Sequence, residues 1–391
     1  MSKRLVTNSM LSTFKACRWK YWYSYLEGLR SAVEKKAPSR GSLFHRLLAG
    51  LYLYGEEFDH EGAILRWKDG QHKQAEAHYE RIKKQYGTDD KTILATVLEQ
   101  AESICEEIRE VYLYYKSTTY QQDKLKYEAL YVEQPFEVPV VDRADKRHMR
   151  WRFGGRWDIV VRSKSNGEIF MWDHKLTSSK PQAFIDSSSL STQPVSYIWA
   201  ARYLSVSDGI SNEKFYEARK SLGGGSVLNV DGPSWSGSVP SGFCLSVTRR
   251  KVPKKPVTTK DKKRLNKTSM KDTTLELLEE AIRENGFNRS DYSAEIEKLH
   301  GSNSNFFVRQ ELEISMQDVE RWMEETRLTC EEILRVERYG KDRLYRTDPS
   351  ICQNQYFQKC EYWPLCYGDP EEAISNYMKI PGHSELVEDQ E

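Results

Sequence analysis

The stretch from Phe153 to Lys175 constrains the fold more than any other part of the sequence. Two apolar runs, Trp157–Val161 and Ile169–Trp172, lie on either side of Ser165-Asn166-Gly167. Asn-Gly between two such runs is the strongest short-range signal of a β-hairpin. We therefore predict a sheet that is built outward from this hairpin, with Asp158 on its first strand.

The second strand of the hairpin ends in Asp173-His174-Lys175. Alternate residues of a strand point to the same side, so Asp173 and Lys175 would face one site together with Asp158. Mg²⁺ is typically bound by one or two carboxylates and by substrate phosphate oxygens, and a lysine can orient or deprotonate a nearby water. Because D-x-K is a common tripeptide and Asp at a strand end is more often a cap, this interpretation depends on the rest of the chain.

Length and charge exclude several classes of protein. At 391 residues the chain accommodates two domains or one decorated domain, and 59 Lys and Arg balance 58 Asp and Glu. A generic polyanion binder is excluded, so any basic surface must be local. We find no signal peptide and no run of the ~20 apolar residues needed to span a bilayer, which predicts a soluble, cytoplasmic protein without a membrane partner. Seven cysteines are too few, and odd in number, for a disulfide scaffold.

Helical and strand patterns flank the hairpin. We predict one domain over 1–370 and an acidic tail over 371–391. The predicted helices are 8–28 (capped by Asn8 or Ser9 and ended by Gly28), one that opens at Gly41-Ser42 after a charged linker over 30–40, several in an insert over 56–125, and 189–204, 273–285 and 311–339. The predicted strands include 127–140 and 243–247. We also predict a flexible and basic insertion over 205–272.

The only concentrated cationic run lies at 249–271, where eleven Lys or Arg accompany one Asp. Such a run contacts a nucleic-acid backbone largely without regard to base sequence, although it is equally often a solvated face. The candidate contacts are Arg249, Arg250, Lys251, Lys254 and Lys255.

Three cysteines, Cys352, Cys360 and Cys366, lie within fifteen residues. Thiolate ligation of zinc or of an iron–sulfur cluster is the natural interpretation in a reducing cell, and Cys17 is the candidate fourth ligand. The cysteine region would then comprise 9–30 and 345–370 and would join the two ends of the chain. We assign such a group to structure rather than to redox chemistry, because it closes a long loop.

Several motifs occur in a specific order: His45 after Gly41, Asp158 in G-G-R-W-D, D-H-K at 173–175, and Gln193-x-x-x-Tyr197. In this order they resemble the RecB-type nucleases of the PD-(D/E)XK superfamily. The one-plus-three cysteine arrangement resembles members that carry a [4Fe–4S] cluster, among them CRISPR-associated exonucleases, AddAB-type nuclease subunits and phage exonucleases. The gap from Cys352 to Cys360 is wider than the C-x-x-C of many such members, which keeps zinc as the alternative.

The resemblance implies an α/β fold with a restriction-endonuclease-like core, in which helices flank a central mixed sheet. It implies that Mg²⁺ or Mn²⁺ is held by His45, Asp158, Asp173 and the main-chain carbonyl of His174. Lys175 would position or activate the attacking water, and the DNA strand would be bound by Gln193 and Tyr197.

We therefore predict a metal-dependent DNA exonuclease of recombination, repair or DNA processing, closest to the phage-type branch. It would act on single-stranded DNA or a duplex end, with a recombination or repair protein as a possible partner. One alternative is a non-catalytic DNA-binding or assembly subunit that keeps the fold, which the run at 249–271 and the helical insert suggest. Another is a structural protein stapled by zinc.

Overall fold

The hairpin predicted from the sequence lies at the centre of a six-stranded mixed sheet. The computed structural model describes residues 4–31, 36–86, 91–141, 147–188, 192–206, 240–300, 305–341, 344, 352–353 and 359–379. The strands of the large sheet are β1 (Arg4–Val6), β3 (Tyr127–Val141), β4 (Arg147–Ser163), β5 (Ile169–Thr177), β6 (Gly242–Arg249) and β7 (Phe307–Leu312). A second, two-stranded sheet pairs β2 (Leu29–Ser31) with β8 (Tyr377–Lys379) in antiparallel fashion.

Strand β4 is the hub of the large sheet. It pairs antiparallel with β3 along one edge. Along the other edge it pairs parallel with β1 near Trp151 and antiparallel with β5 from Ile159 to Arg162. Strand β5 then runs parallel to β6, and β6 antiparallel to β7. The sheet is therefore mixed, as predicted.

Helices cover both faces of the sheet. They are α1 (Asn8–Ala16), α2 (Arg18–Tyr21), α3 (Lys36–Tyr54), α4 (His60–Tyr86), α5 (Thr92–Ser117), α6 (Thr119–Lys126), α7 (Pro181–Ser188), α8 (Gln193–Val206), α9 (Leu275–Glu284), α10 (Ser293–Leu299), α11 (Met316–Tyr339), α12 (Trp363–Tyr367) and α13 (Pro370–Ala373). On one face, α1, α8 and α11 bury an aromatic core that includes Phe153, Trp199 and Trp322. On the other face, α3 packs its leucines against α4 and α5 and lies over Ile159 and Trp172.

The helix predicted over 8–28 is interrupted at Cys17, and this part of the prediction is wrong. Cys17 has an extended backbone, and its sulfur accepts the N–H of Lys20, so α1 ends at Ala16 and α2 begins after Cys17. The N-cap of α1 is Thr7, whose hydroxyl accepts the N–H of Met10 over 3.2 Å, and not Asn8 or Ser9. A π-helical turn follows over Trp22–Leu26, and Gly28 then leaves the helical region with a φ of 67°.

Other boundaries also differ from the predictions, and at β7 the reason is that strand pairing outweighs helix-prone composition. Residues 307–312 form the edge strand β7, so the helix predicted from 311 begins only at Met316, where Ser315 and Asp318 form a capping box. Helix α3, predicted to open at Gly41-Ser42, begins at Lys36, inside the predicted linker, and the helix predicted from 189 begins at Gln193. Residues 377–379 pair with β2, so the beginning of the predicted tail is ordered.

The insert predicted over 56–125 is helical, as α4, α5 and α6 demonstrate. Residues 207–239 of the predicted flexible insertion and residues 380–391 of the predicted tail lie outside the described residues. Among the helices that are described, none combines the length and the apolar character that a membrane crossing requires.

Candidate functional site

The candidate site lies where β4 and β5 diverge. Their backbone pairing extends to Ile159 and Trp172, and the next residues toward the fork are Asp158 and Asp173. At this point the main-chain N–H of His174 donates a hydrogen bond to Asp158 Oδ2 over 2.7 Å. A side-chain carboxylate therefore accepts the bond that a backbone carbonyl would accept in a continued ladder.

Helix α3 brings His45 to this fork. His45 Nδ1 lies 3.4 Å from Asp158 Oδ2 and 3.8 Å from Glu133 Oε1. Potential ligand atoms of these three residues all lie within 4.8 Å of one another. Each of the three side chains is partly exposed, so an ion or a substrate can reach them from solvent.

Sequence reasoning missed Glu133. The β3–β4 register pairs Val132 with Ile159 and Gln134 with Trp157, which sets Glu133 opposite Asp158. Its φ of 48° is in the left-handed region, which costs a residue other than glycine about 1–2 kcal/mol. Strain of this kind concentrates at functional sites. Glu133 is one of three glutamates in the strand-like segment 127–140, and no motif distinguishes it from the other two.

Asp173 and Lys175 form a close pair on β5. Lys175 Nζ lies 2.7 Å from Asp173 Oδ2 and 2.8 Å from Oδ1. Helix α8 adds Gln193, whose Nε2 donates to Asp173 Oδ1 over 3.4 Å and to Tyr197 Oη over 3.0 Å. The ring of Tyr197 is buried edge-on against Phe136, so only its hydroxyl end faces the site.

Neighbouring charges tune the acidic groups in opposite directions. Burial alone would raise the pKa of Asp158, but the adjacent His45 outweighs it and lowers the pKa. Burial and the nearby charge of Asp158 together raise the pKa of Asp173 to about 6, against the opposing effect of Lys175. Two carboxylates thus share one cleft, and Asp173 is the one that takes up a proton first as the pH falls.

The basic groups are held in their charged forms. Burial alone would lower the pKa of His45, but the carboxylates of Asp158 and Glu133 raise it well above its usual value. For Lys175, Asp173 and Asp158 likewise outweigh burial and raise the pKa. At neutral pH, without a cation, the site therefore contains a protonated imidazole and an ammonium group among carboxylates.

The imidazole of His174 points away from this cluster. It is 1% exposed, and its ring lies 6.1 Å from those of Tyr52 and Tyr115. Burial lowers the pKa of His174 well below its usual value, so the ring is neutral. The role predicted for its main-chain carbonyl remains a prediction.

The donor set suits a hard or borderline divalent cation. One imidazole and two carboxylates converge from three elements, and carboxylate oxygens are the ligands that Mg²⁺ and Mn²⁺ prefer, while imidazole favours Mn²⁺ of the two. A cation there would relieve the repulsion that raises the pKa of Asp173. The residues that are present therefore fit such an ion.

Four of the five candidate contacts in the basic run at 249–271 are paired with carboxylates within the protein, whereas the sequence alone gave no sign of these pairs. The exposed Lys254 is the one candidate contact for which the described residues provide no carboxylate partner. The other four candidate contacts each pair with a carboxylate: Arg249 and Lys251 with Asp272 (2.7 and 3.1 Å), Arg250 with Glu107 (3.2 Å), and Lys255 with Glu280 and Glu284 (2.8 and 2.6 Å).

The four predicted ligand cysteines are free thiols at one corner of the fold. The N–H of Cys360 donates to the carbonyl of Cys352 over 2.7 Å, and Cys360 and Cys366 pack against the same aromatic cluster. Burial and, to a smaller extent, the neighbouring Cys17 raise the pKa of Cys360. Among the described residues, the three whose ligand atoms lie within 4.8 Å of one another are His45, Glu133 and Asp158, and no cysteine belongs to this group. A tetrahedral zinc ion, with Zn–S bonds of about 2.3 Å, would require the thiols to move closer together.

In a comparison with protein families, the model described as PD-(D/E)XK nuclease superfamily matches residues 6–367. This range contains every site residue named above. No curated protein matches the sequence significantly.

Proposed function

The chain belongs to the PD-(D/E)XK nuclease superfamily, and from that premise we propose that it is a metal-dependent deoxyribonuclease that degrades DNA from an end. The observation that carries the proposal is the convergence of His45, Glu133 and Asp158 beside the Asp173–Lys175 pair. Five groups from α3, β3, β4 and β5 meet at one fork of the sheet.

In this proposal His45, Glu133, Asp158 and Asp173 hold Mg²⁺ or Mn²⁺, with the carbonyl of His174 as a further ligand. When bound, the cation polarises a phosphoryl oxygen, lowers the pKa of a water and offsets the charge that develops at the phosphate. Glu133 joins the set that the sequence suggested because its Oε1 faces the same imidazole nitrogen as Asp158.

Lys175 acts as a cationic donor in this scheme. Its raised pKa keeps it protonated at neutral pH, so it orients the attacking water or a phosphate oxygen rather than removing a proton. Asp173 holds the ammonium group in place through both carboxylate oxygens.

DNA would lie across the fork, with Gln193 and the hydroxyl of Tyr197 beside the scissile phosphate. Both groups are on the α8 side of Asp173, within hydrogen-bonding reach of each other. Of the five candidate contacts in the 249–271 run, Lys254 is the one that we expect to contact the backbone. A single strand or a duplex end is the proposed substrate, and recombination or repair in a RecB-like, phage-type or bacterial system, in the cytoplasm, is the proposed context.

We further propose that Cys17, Cys352, Cys360 and Cys366 hold a [4Fe–4S] cluster with a structural role. Their location at one corner, where the N-terminal helices meet residues 359–379, supports the proposal. Anaerobic purification with an absorption spectrum and metal analysis tests it. A brown protein with about four iron atoms supports the cluster, whereas a colourless protein with one zinc supports the alternative.

The nuclease proposal is tested with 5′- and 3′-labelled single- and double-stranded DNA and with a closed circle, in Mg²⁺, Mn²⁺ or EDTA. We expect linear DNA to be degraded only with metal and the circle to be spared. Asp173→Ala and Lys175→Ala should be inactive but folded. DNA binding without cleavage by the unaltered protein would support the non-catalytic assembly subunit, and full activity in Asp173→Ala would exclude the proposed site.

A further inference from the structure

Arg309, in the middle of β7, lies outside every motif identified in the sequence, yet it packs directly beneath the candidate site. Its guanidinium carbon lies 3.5 Å from the ring centroid of Trp172, the residue before Asp173. A guanidinium over the face of Trp is an attractive contact that strengthens when water is excluded.

The guanidinium is also bound on its edges. It donates from Nη1 and Nη2 to the two carboxylate oxygens of Asp123 over 2.6 and 3.0 Å, and from Nε to Ser246 Oγ over 2.7 Å. The side chain of Arg309 is 14% exposed and that of Asp123 is 5% exposed. This two-pronged geometry fixes the orientation of both partners, which a lysine could not do.

Asp123 links the pair to the helix that carries His45. Tyr52 donates to Asp123 Oδ2 over 2.5 Å, and its hydroxyl lies 2.9 Å from that of Tyr115. Tyr52 follows His45 on α3 by seven residues, which is about two helical turns, so both residues lie on the same side of the helix.

The same guanidinium is linked to the strand that carries the acidic groups. Trp172 precedes Asp173 on β5, and Ser246 lies opposite His174 in the β5–β6 register. One buried ion pair therefore joins α3, α6, β5, β6 and β7. The helical insert is connected through Asp123 to the elements that supply His45 on one side and Asp173 on the other.

We propose that Arg309 is a positioning residue that sets the distance between α3 and the fork of the sheet, and hence between His45 and the acidic groups. The inference rests on the proposed function, because it assumes that these groups hold a divalent cation. Without the two guanidinium donors, Asp123 loses the contact that fixes its orientation, and Tyr52 loses its fixed acceptor. A displacement of about 1 Å is enough to disturb a site of this kind.

The test is the affinity for Mn²⁺ alone, measured by calorimetry on the protein without DNA. Arg309→Lys keeps the charge and removes the two-pronged geometry. We expect the Kd for Mn²⁺ to rise about tenfold, the scale typical for groups that orient metal ligands. DNA affinity in EDTA should stay within about twofold, because it does not depend on the metal ligands.

A matched control is Arg4→Lys. Arg4 also lies over a tryptophan of the same sheet, 4.8 Å from the Trp151 ring, and pairs with a carboxylate, that of Glu337, away from the fork. The Arg4→Lys variant should bind Mn²⁺ with the same Kd as the unaltered protein. A purely structural role for Arg309 predicts that the two variants differ from the unaltered protein only in melting temperature.

If Arg309→Lys does not fold, Tyr52→Phe decides the question, because it removes a single hydroxyl and keeps the ring. We expect a smaller rise in the Kd for Mn²⁺, about threefold. Unchanged Mn²⁺ affinity in a folded Arg309→Lys, or in Tyr52→Phe where the former is unfolded, overturns the positioning role even if DNA is cleaved. Weakened Mn²⁺ binding in a protein that never cleaves DNA overturns the nuclease proposal and leaves the positioning role intact. An unaltered protein that binds no Mn²⁺ overturns both.

Discussion

The main-chain N–H of His174 and the side chain of Asp158 are joined by a hydrogen bond of 2.7 Å across the fork between β4 and β5. The acceptor, Asp158 Oδ2, is also the oxygen that lies 3.4 Å from His45 Nδ1. One oxygen thus connects the strand that carries Asp173 to the helix that carries His45. The main chain of His174, on the adjacent strand β5, orients the Asp158 carboxylate, so the geometry of this carboxylate is set before any ligand binds.

Asp158→Asn tests the chemical role of this carboxylate separately from its structural role. The amide oxygen of Asn can still accept the N–H of His174, so we expect the melting temperature to change by only a few degrees. The lost charge should reduce metal-dependent DNA cleavage by at least about 100-fold, because even groups that only orient metal ligands account for 10–100-fold. Cleavage rates and thermal melts of both proteins provide the measurement. Undiminished cleavage would contradict the assignment.

Glu133→Gln tests the ligand that sequence reasoning missed. Removal of the negative charge should raise the metal concentration for half-maximal activity by about tenfold or more. Glu137→Gln is the matched control, because Glu137 lies on the same strand and pairs with Arg152 instead. A metal titration of cleavage for the two variants gives the comparison. If both variants behave alike, Glu133 does not ligate the cation.

Particular residues illustrate what the sequence could predict. The Asn-Gly turn and its two apolar runs were sufficient to predict β4 and β5, and alternation was sufficient to place Asp173 and Lys175 on one side. Glu133 could not be found, because its position depends on the β3–β4 register and on a left-handed backbone conformation. The pairing of Arg249 and Lys251 with Asp272 was equally hidden, because it depends on how a loop folds back on itself. Long-range register and ion pairing are tertiary properties that a local pattern does not encode.

Cation binding should release protons, and the number should depend on pH. The raised pKa of His45 keeps it protonated in the metal-free state, and Asp173 has a pKa of about 6. A cation binds the neutral imidazole and the ionised carboxylate, so it displaces protons and binds more weakly as pH falls. We expect release of about one proton at pH 7.5 and about two at pH 5.

Calorimetry of Mn²⁺ binding in two buffers with different ionisation enthalpies counts these protons. His45→Ala should reduce the release by about one at pH 7.5, where Asp173 is already ionised. Release that is independent of pH between 5 and 7.5 would show that Asp173 does not take part.

Gly155→Ala should destabilise the fold although it adds only a methyl group. A Cβ at this position would lie 2.5 Å from the Phe136 ring and 3.2 Å from the Tyr197 ring. Phe136 is buried and cannot move freely, so we expect a loss of about 1–3 kcal/mol in the free energy of unfolding. Gly70→Ala, in α4, is the control: its Cβ meets no atom within 4 Å, and the change should be neutral or stabilising. Equal melting temperatures for both variants would contradict the packing argument.

Lys254→Ala and Arg249→Ala should separate DNA contacts from internal ion pairs. Lys254 is exposed, whereas Arg249 pairs with Asp272 over 2.7 Å and lies over Phe306. If Lys254 contacts a phosphate, its removal should weaken DNA binding uniformly across sequences and reduce the slope of log K against log salt by about one, with the melting temperature unchanged. Arg249→Ala should instead lower the melting temperature and leave the slope close to that of the unaltered protein. Binding titrations at four salt concentrations, with thermal melts of the same samples, provide both quantities. A salt slope that falls in Arg249→Ala but not in Lys254→Ala would mean that DNA competes with Asp272 for Arg249, and that Arg249 contacts DNA only after this internal pair opens.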